Sequence, residues 1–194
     1  MKRYLPLGAG AVFLLLAGVY LASTGSVPAG QPSVVELNDE TLSRLKQEFN
    51  RAAGSMRVIL LLAPTCPYCL KGAAEIQRVL EMHPQGPMVV FAVWEPILPT
   101  DWSKPGTRVL NRLRDGRVRQ LWDAEHRVAA ELKKASEARQ IFPNCCYSKG
   151  VMWDSIAAFA PGEQWGETLP APILLEGTIE EAAPLFASLA AKAW

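Results

Sequence analysis

Two cysteines separated by two residues, in the segment Cys66-Pro67-Tyr68-Cys69, are the side chains of this sequence best suited to chemistry. The apolar run 58–62 before them is typical of a buried strand, and residues 70–80 after them have the apolar spacing of a helix. A strand, a C-x-x-C pair and a helix in this order favour thiol–disulfide exchange. Pro67 suits the first turn of a helix, because its missing N–H is not needed there. Cys66 then caps the helix, whose dipole and free N–H groups stabilise a thiolate, and we predict that Cys66 is the nucleophile.

A second pair of cysteines, Cys145 and Cys146, is adjacent in the chain and lies in a segment with the composition of a loop. One interpretation is a second redox pair that approaches Cys66. Another is a structural disulfide or two buried thiols, and a third is the capture of a soft metal ion. The residues alone leave these three open, and we predict neither a resident metal site nor a cofactor.

The cysteine pairs must be positioned by the elements around them. Strands alternate with helices along most of the chain, which indicates an α/β fold with a central mixed sheet flanked by helices. Residues 137–168 are predicted to form an irregular insertion, in which Val151–Phe159 fits either a strand or a short helix. Strands are predicted at 34–37, 56–62, 88–94, 117–122 and 172–176, and helices at 39–52, 70–80, 107–114, around 128–132 and at 179–189.

This order of elements resembles the thioredoxin superfamily over residues 33–191. The resemblance implies that Cys66 attacks a disulfide and that Cys69 resolves the mixed disulfide. In that family a cis-proline precedes a later strand and lies against the cysteine pair. Pro172, in Ala171-Pro172, matches it by context, and the substrate groove is then expected to comprise Thr65, Pro67, Tyr68, Ala171 and Pro172.

The sequence also departs from the family. Thioredoxins usually carry a buried acid six residues before the first cysteine, and Leu60 occupies that position here. Cys-Pro-Tyr-Cys is the glutaredoxin form of the motif, yet the elements with which glutaredoxins hold glutathione are absent around 169–172. The expected clients are therefore protein or peptide disulfides and dithiols, with a separate electron donor or acceptor.

The N-terminal segment has the pattern of an export signal. Lys2 and Arg3 precede an apolar run from Tyr4 to Ala22, which is about as long as the ~20 residues that span a bilayer. We therefore expect a signal peptide or signal anchor at 1–24, a linker at 25–32 and a thioredoxin-like domain at 33–194. The positive n-region places the domain outside the cytoplasm, in the periplasm or at the outer face of the cytoplasmic membrane, and tethered by the N-terminal helix.

Composition narrows the function classes. A hydrophobic content of 49% describes a chain that forms a core, and a formal net charge of +1 does not favour a nucleic-acid partner. The sequence thus predicts an extracytoplasmic thiol–disulfide oxidoreductase. Two alternatives are a Cu, Hg or Zn binding or transfer protein that uses Cys66/Cys69 with Cys145/Cys146, and a non-catalytic interaction module of the same fold.

Overall fold

A computed structural model describes residues 25–192 of the chain. The segment predicted as a signal peptide or anchor, 1–24, lies outside the described residues. Among residues 25–192, no helix combines the length and apolar character needed to cross a membrane.

Strands and helices alternate as the sequence predicts. In chain order they are β1 (Val35–Glu36), α1 (Asp39–Arg51), β2 (Met56–Leu62), α2 (Pro67–Met82), β3 (Met88–Trp94), α3 (Thr107–Leu110), β4 (Val118–Trp122), α4 (Arg127–Arg139), β5 (Tyr147–Ser148), β6 (Val151–Met152), β7 (Ser155–Phe159), β8 (Leu174–Gly177) and α5 (Ile179–Lys192).

Six of these strands form one mixed sheet in the order β1-β4-β3-β2-β7-β8. Strands β1, β4, β3 and β2 run parallel, and β7 and β8 continue the sheet in antiparallel pairs. The two short strands β5 and β6 form a separate hairpin. The central strand β2 is buried at every position, as expected for a strand that is covered on both faces.

Side chains of β2 alternate between two cores. Val58, Leu60 and Leu62 pack with α2 and α5 on one face of the sheet. Ile59 and Leu61 pack with α1 and α4 on the other face. Burial on both faces fixes the register of β2, because a slip of one residue would exchange the two sets. The residue that follows its carboxyl end is therefore held in a defined place.

The sheet order and strand directions are those of a thioredoxin-like fold, with the cysteine pair directly after the central parallel strand. The fold class predicted from the sequence is confirmed. Within the segment 137–168, predicted as an irregular insertion, α4 extends to Arg139 and Ser155–Phe159 is the core strand β7, one of the two alternatives left open for Val151–Phe159. All five residues of β7 are buried, so the segment lacks the alternation by which a strand is distinguished from a short helix.

Candidate active site

Cys66 lies at the N-terminus of α2, as the sequence predicts. It is the N-cap residue, Pro67 occupies the first turn, and that turn carries no acidic side chain. The backbone N–H of Cys69 donates to the Sγ atom of Cys66 over 3.5 Å. The sulfur therefore receives a donor that every helix leaves unpaired at its first turn.

The two sulfurs of the motif differ in their protonation. Donation from the Cys69 thiol and from the backbone N–H groups of Cys69 and Tyr68 lowers the pKa of Cys66 to about 6, although burial opposes this shift. The same contact with Cys66, together with burial, raises the pKa of Cys69. Both are free thiols in this structure. At neutral pH Cys66 is consequently a thiolate and Cys69 keeps its proton.

Asp154, which the sequence analysis did not single out, faces this pair. It directly precedes β7, is 2% exposed and has a φ of 45°. Burial raises the pKa of its carboxyl group, and hydrogen bonding from the backbone N–H of Ile179 and from the Cys69 thiol opposes this shift. Its Oδ1 atom has no hydrogen-bond partner within the described residues. The available sequence signal was an acid directly before the segment Ser155–Phe159, in which four of the five residues are apolar.

The predicted cis-proline is wrong. Among residues 25–192 the cis peptide bond joins Gly177 and Thr178, and the bond before Pro172 is trans. Strand β8 begins opposite Ala158, which in turn pairs with Val58 near the start of β2. Cys66 follows the carboxyl end of β2. The segment Ala171-Pro172 therefore lies at the opposite end of the strands and does not line the groove.

The error has a topological cause. A proline before an apolar run made the edge strand β8 resemble the family's later strand, whereas the strand beside β2 is β7. The residue that directly precedes β7 is Asp154. An aspartate therefore occupies the place against the cysteine pair that a cis-proline takes in the thioredoxin superfamily.

The remaining groove residues surround Cys66. Thr65, Pro67 and Tyr68 are exposed beside the buried sulfur. The backbone N–H and the Oγ1 atom of Thr65 donate to Oδ1 of buried Asp101, over 2.9 Å and 2.6 Å. Oδ2 of Asp101 accepts from the backbone N–H of Leu98 over 2.7 Å, which ties the 97–101 loop to the residue before Cys66.

Two aromatic side chains are available to a client at this edge. Tyr68 is 61% exposed, and Trp102, next to Asp101, is 77% exposed. Trp165, by contrast, is buried and packs edge-on against Phe49 at 5.7 Å between ring centroids. Tyr68 and Trp102 thus give the candidate groove an exposed aromatic rim.

Cys145 and Cys146 form a disulfide with each other. They lie at the same end of the sheet as Asp154, beside Gly177. Within the described residues, no group of three or more Cys, His, Asp or Glu side chains has the geometry of a metal site. The two cysteine pairs are therefore not gathered into one ligand set.

Fold and site together define a thioredoxin-like domain with a C-x-x-C pair at the N-terminus of its α2 helix. Neither the protein-family models nor the curated protein sequences include a match to this chain. Among solved structures, it is similar to the thioredoxin domain of a thiol-disulfide oxidoreductase from Bacteroides vulgatus, with 12% identity and a TM-score of 0.37. That alignment covers 71% of this chain and 82% of the other. The order and directions of the six strands define the thioredoxin-like fold.

Proposed function

We propose that this protein is a thiol–disulfide oxidoreductase that acts on protein or peptide disulfides outside the cytoplasm. The observation that carries the proposal is the asymmetry of the motif. The pKa of Cys66 is lowered to about 6 at a helix N-terminus, and the pKa of its buried neighbour Cys69 is raised. A thiolate nucleophile beside a protonated resolving thiol is the arrangement that two-step exchange requires.

In the first step the Cys66 thiolate attacks one sulfur of a client disulfide. A mixed disulfide forms between Cys66 and the client, and the other client sulfur leaves as a thiolate. In the second step the Cys69 thiol gives its proton to the Asp154 carboxylate and attacks Sγ of Cys66. The second client sulfur leaves, so that the client gains two electrons and the Cys66–Cys69 pair loses them.

Asp154 suits the second step by its position and its environment. Its carboxyl group is buried against Cys69, and burial raises its pKa towards the range in which it can accept and release a proton. In the dithiol state the contact with Cys66 is the largest cause of the raised pKa of Cys69, and it is lost once Cys66 is bonded to the client. Burial still raises the pKa of the Cys69 thiol in the mixed disulfide, so an adjacent proton acceptor would assist its attack. Tyr68 and Trp102 would contact the client chain on either side of Cys66.

The site of action is proposed from the sequence. The apolar segment 4–22 after Lys2 and Arg3 supports export and attachment to the membrane, which would hold the domain at the outer face of the cytoplasmic membrane or in the periplasm. A second thiol or disulfide protein in that compartment would return the cysteine pair to its starting state.

Reduction of insulin disulfides by the full-length chain, with dithiothreitol as electron donor, tests the reaction. We expect Cys66→Ser to reduce the rate to that of dithiothreitol alone, and Cys69→Ser to accumulate a mixed disulfide between Cys66 and insulin. The substitution Glu75→Gln on α2, at a half-buried residue that pairs with Arg78 and not with the cysteines, serves as the matched control. Equal rates for the wild type and Cys66→Ser would instead favour a non-catalytic interaction module.

A further inference from the structure

We infer that the Cys145–Cys146 disulfide is a second redox centre that exchanges two electrons with Cys66 and Cys69 of the same chain. This inference rests on the proposed function of the first pair. It assigns the adjacent cysteines a partner inside the molecule and a role in passing electrons to or from a dithiol or disulfide of another protein.

The first argument is position. Strand β7 begins and β8 ends at the end of the sheet where β2 leads into Cys66. Ser155 of β7 pairs with Gly177 of β8 at this end. A Cβ atom on Gly177 would lie 2.9 Å from Sγ of Cys145 and 3.1 Å from Sγ of Cys146. It would also lie 3.1 Å from the carbonyl oxygen of Asp154. The two sulfurs and the backbone of Asp154, whose side chain faces Cys69, therefore border the same space beside Gly177.

The second argument is that the backbone around Gly177 leaves space for the two sulfurs. Only a residue without a side chain leaves room at position 177 for the two sulfurs. The backbone N–H of Trp153 donates to the carbonyl oxygen of Cys146 over 3.0 Å, which fastens the cysteine loop to the residue before Asp154. The β5–β6 hairpin directly after the loop holds it from the other side.

The third argument concerns what this disulfide can contribute to stability. A disulfide stabilises a fold mainly by closing a loop of the unfolded chain, and the gain grows with the length of that loop. Cys145 and Cys146 are one residue apart in sequence, so the bond encloses no additional chain. Stabilisation of the fold by this disulfide is therefore small and does not explain why the chain leaves space for the two sulfurs.

Accessibility supplies the fourth argument. Both residues of the adjacent pair are partly exposed, whereas Cys66 is only 2% exposed and Cys69 is fully buried. A bulky protein partner would reach the adjacent pair more readily than the resolving thiol. The adjacent cysteines are consequently suited to exchange electrons with a protein partner, and the C-x-x-C pair to exchange them with the adjacent cysteines.

The exchange is balanced within the chain. The Cys66 thiolate attacks Sγ of Cys145 or Cys146, the S–S bond between those two breaks, and the sulfur that is not attacked leaves as a thiolate. Cys69 then gives up its proton and attacks Sγ of Cys66, which closes the Cys66–Cys69 disulfide and releases the second sulfur. Cys145 and Cys146 have gained two electrons and Cys66 and Cys69 have lost two. The step requires the 140–146 loop to carry one sulfur past Asp154.

Two variants of the full-length chain, the reach variants, measure whether Cys66 can form a disulfide with Cys145 or with Cys146. Cys69→Ser/Cys146→Ser leaves only Cys66 and Cys145, and Cys69→Ser/Cys145→Ser leaves only Cys66 and Cys146. Each is equilibrated across a glutathione redox series, quenched in acid, alkylated and mapped by mass. We expect at least one variant to form an internal disulfide in place of glutathione adducts, with an effective concentration of about millimolar or above. The control Cys66→Ser/Cys146→Ser, which leaves Cys145 with the buried Cys69, is expected to form glutathione adducts only.

Glutathione adducts alone in both reach variants would overturn the inference. The insulin assay separates this result from failure of the proposed function. Cys66-dependent insulin reduction without internal closure leaves the oxidoreductase in place and removes the second centre. Internal closure without insulin reduction supports the second centre and removes the proposed client reaction.

Discussion

A buried acid can reach a resolving cysteine from more than one direction. In this chain Leu60 stands on β2 where thioredoxins usually carry an acid, and the position is wholly buried in an apolar core. Asp154, directly before the neighbouring strand β7, approaches Cys69 instead. The proposed proton acceptor is thus the residue that directly precedes the strand beside β2.

Asp154→Asn tests this assignment. Asparagine keeps the shape of the side chain and tolerates the positive φ of this position. Loss of the acceptor should slow resolution of the mixed disulfide by about 10²-fold. The negative charge of Asp154 raises the pKa of Cys66. Its removal should therefore lower that pKa and shift thiolate formation to lower pH. Acid-quenched mass analysis of the client adduct measures the first effect, and an unchanged resolution rate would contradict the role.

Titration of the nucleophile gives a second prediction at this scale. We expect the alkylation rate of Cys66 by iodoacetamide to be half-maximal near pH 6, compared with about 8.5 for an unperturbed cysteine. The Cys69 thiol is the largest cause of the lowered pKa, so Cys69→Ala should move the midpoint upward. A wild-type midpoint of 8 or above would show that the helix terminus does not activate this sulfur.

At the scale of elements, local sequence patterns predict a helix or strand correctly where one face of the element is polar. Asn38 caps α1, and Pro67 opens α2, at the residues that the sequence predicts. Strand β7 was undecided because its five residues are all buried. Its pairing with β2 joins segments about a hundred residues apart, and no local pattern encodes such a pairing. The misplaced cis-proline and the overlooked Asp154 both follow from that one uncertainty.

The close packing of α2 on α5 can be tested at Gly72. A Cβ atom there would lie 2.7 Å from Cβ of Ile179, whose backbone N–H interacts with Asp154. Gly72→Ala should gain about 1 kcal/mol in helix propensity but lose more to overpacking, for a net destabilisation of about 1–2 kcal/mol. Urea unfolding of the purified chain measures the change. The control Gly54→Ala, where no atom lies within 4 Å of the added carbon, should stay within about 0.5 kcal/mol of the wild type.

The molecule as a whole places ionisable groups at the carboxyl ends of its parallel strands. Glu95 follows β3, is fully buried, and its Oε2 atom lies 2.8 Å from Nδ1 of His126 at the start of α4. Burial raises the pKa of Glu95 to about 7, with a smaller contribution from Asp123. Hydrogen bonding to Glu95 raises the pKa of His126. Glu95 and His126 are 31 residues apart in the chain, so no local sequence pattern indicates this pairing.

These two shifts predict how the stability of the fold depends on pH. A pKa that is higher in the folded than in the unfolded chain means that the folded chain binds more protons, so stability falls as pH rises through that interval. For Glu95 the interval runs from about 4.3, its unfolded pKa, to about 7, and for His126 it extends upward from about 6.5. Both groups therefore act in the same direction between pH 5 and 8.

Glu95→Gln removes the buried ionisation together with the carboxylate charge that helps to raise the pKa of His126. Relative to this variant, we expect the wild-type free energy of unfolding to fall by about 2–4 kcal/mol between pH 5 and 8. Cys66 contributes with the opposite sign because its pKa is lowered, but both chains carry that thiol and its contribution cancels in the difference. Urea titrations at several pH values measure the two curves, and parallel curves would show that Glu95 and His126 do not titrate with folding. The pH range that ionises the nucleophile is then also the range in which the sheet that positions it becomes less stable.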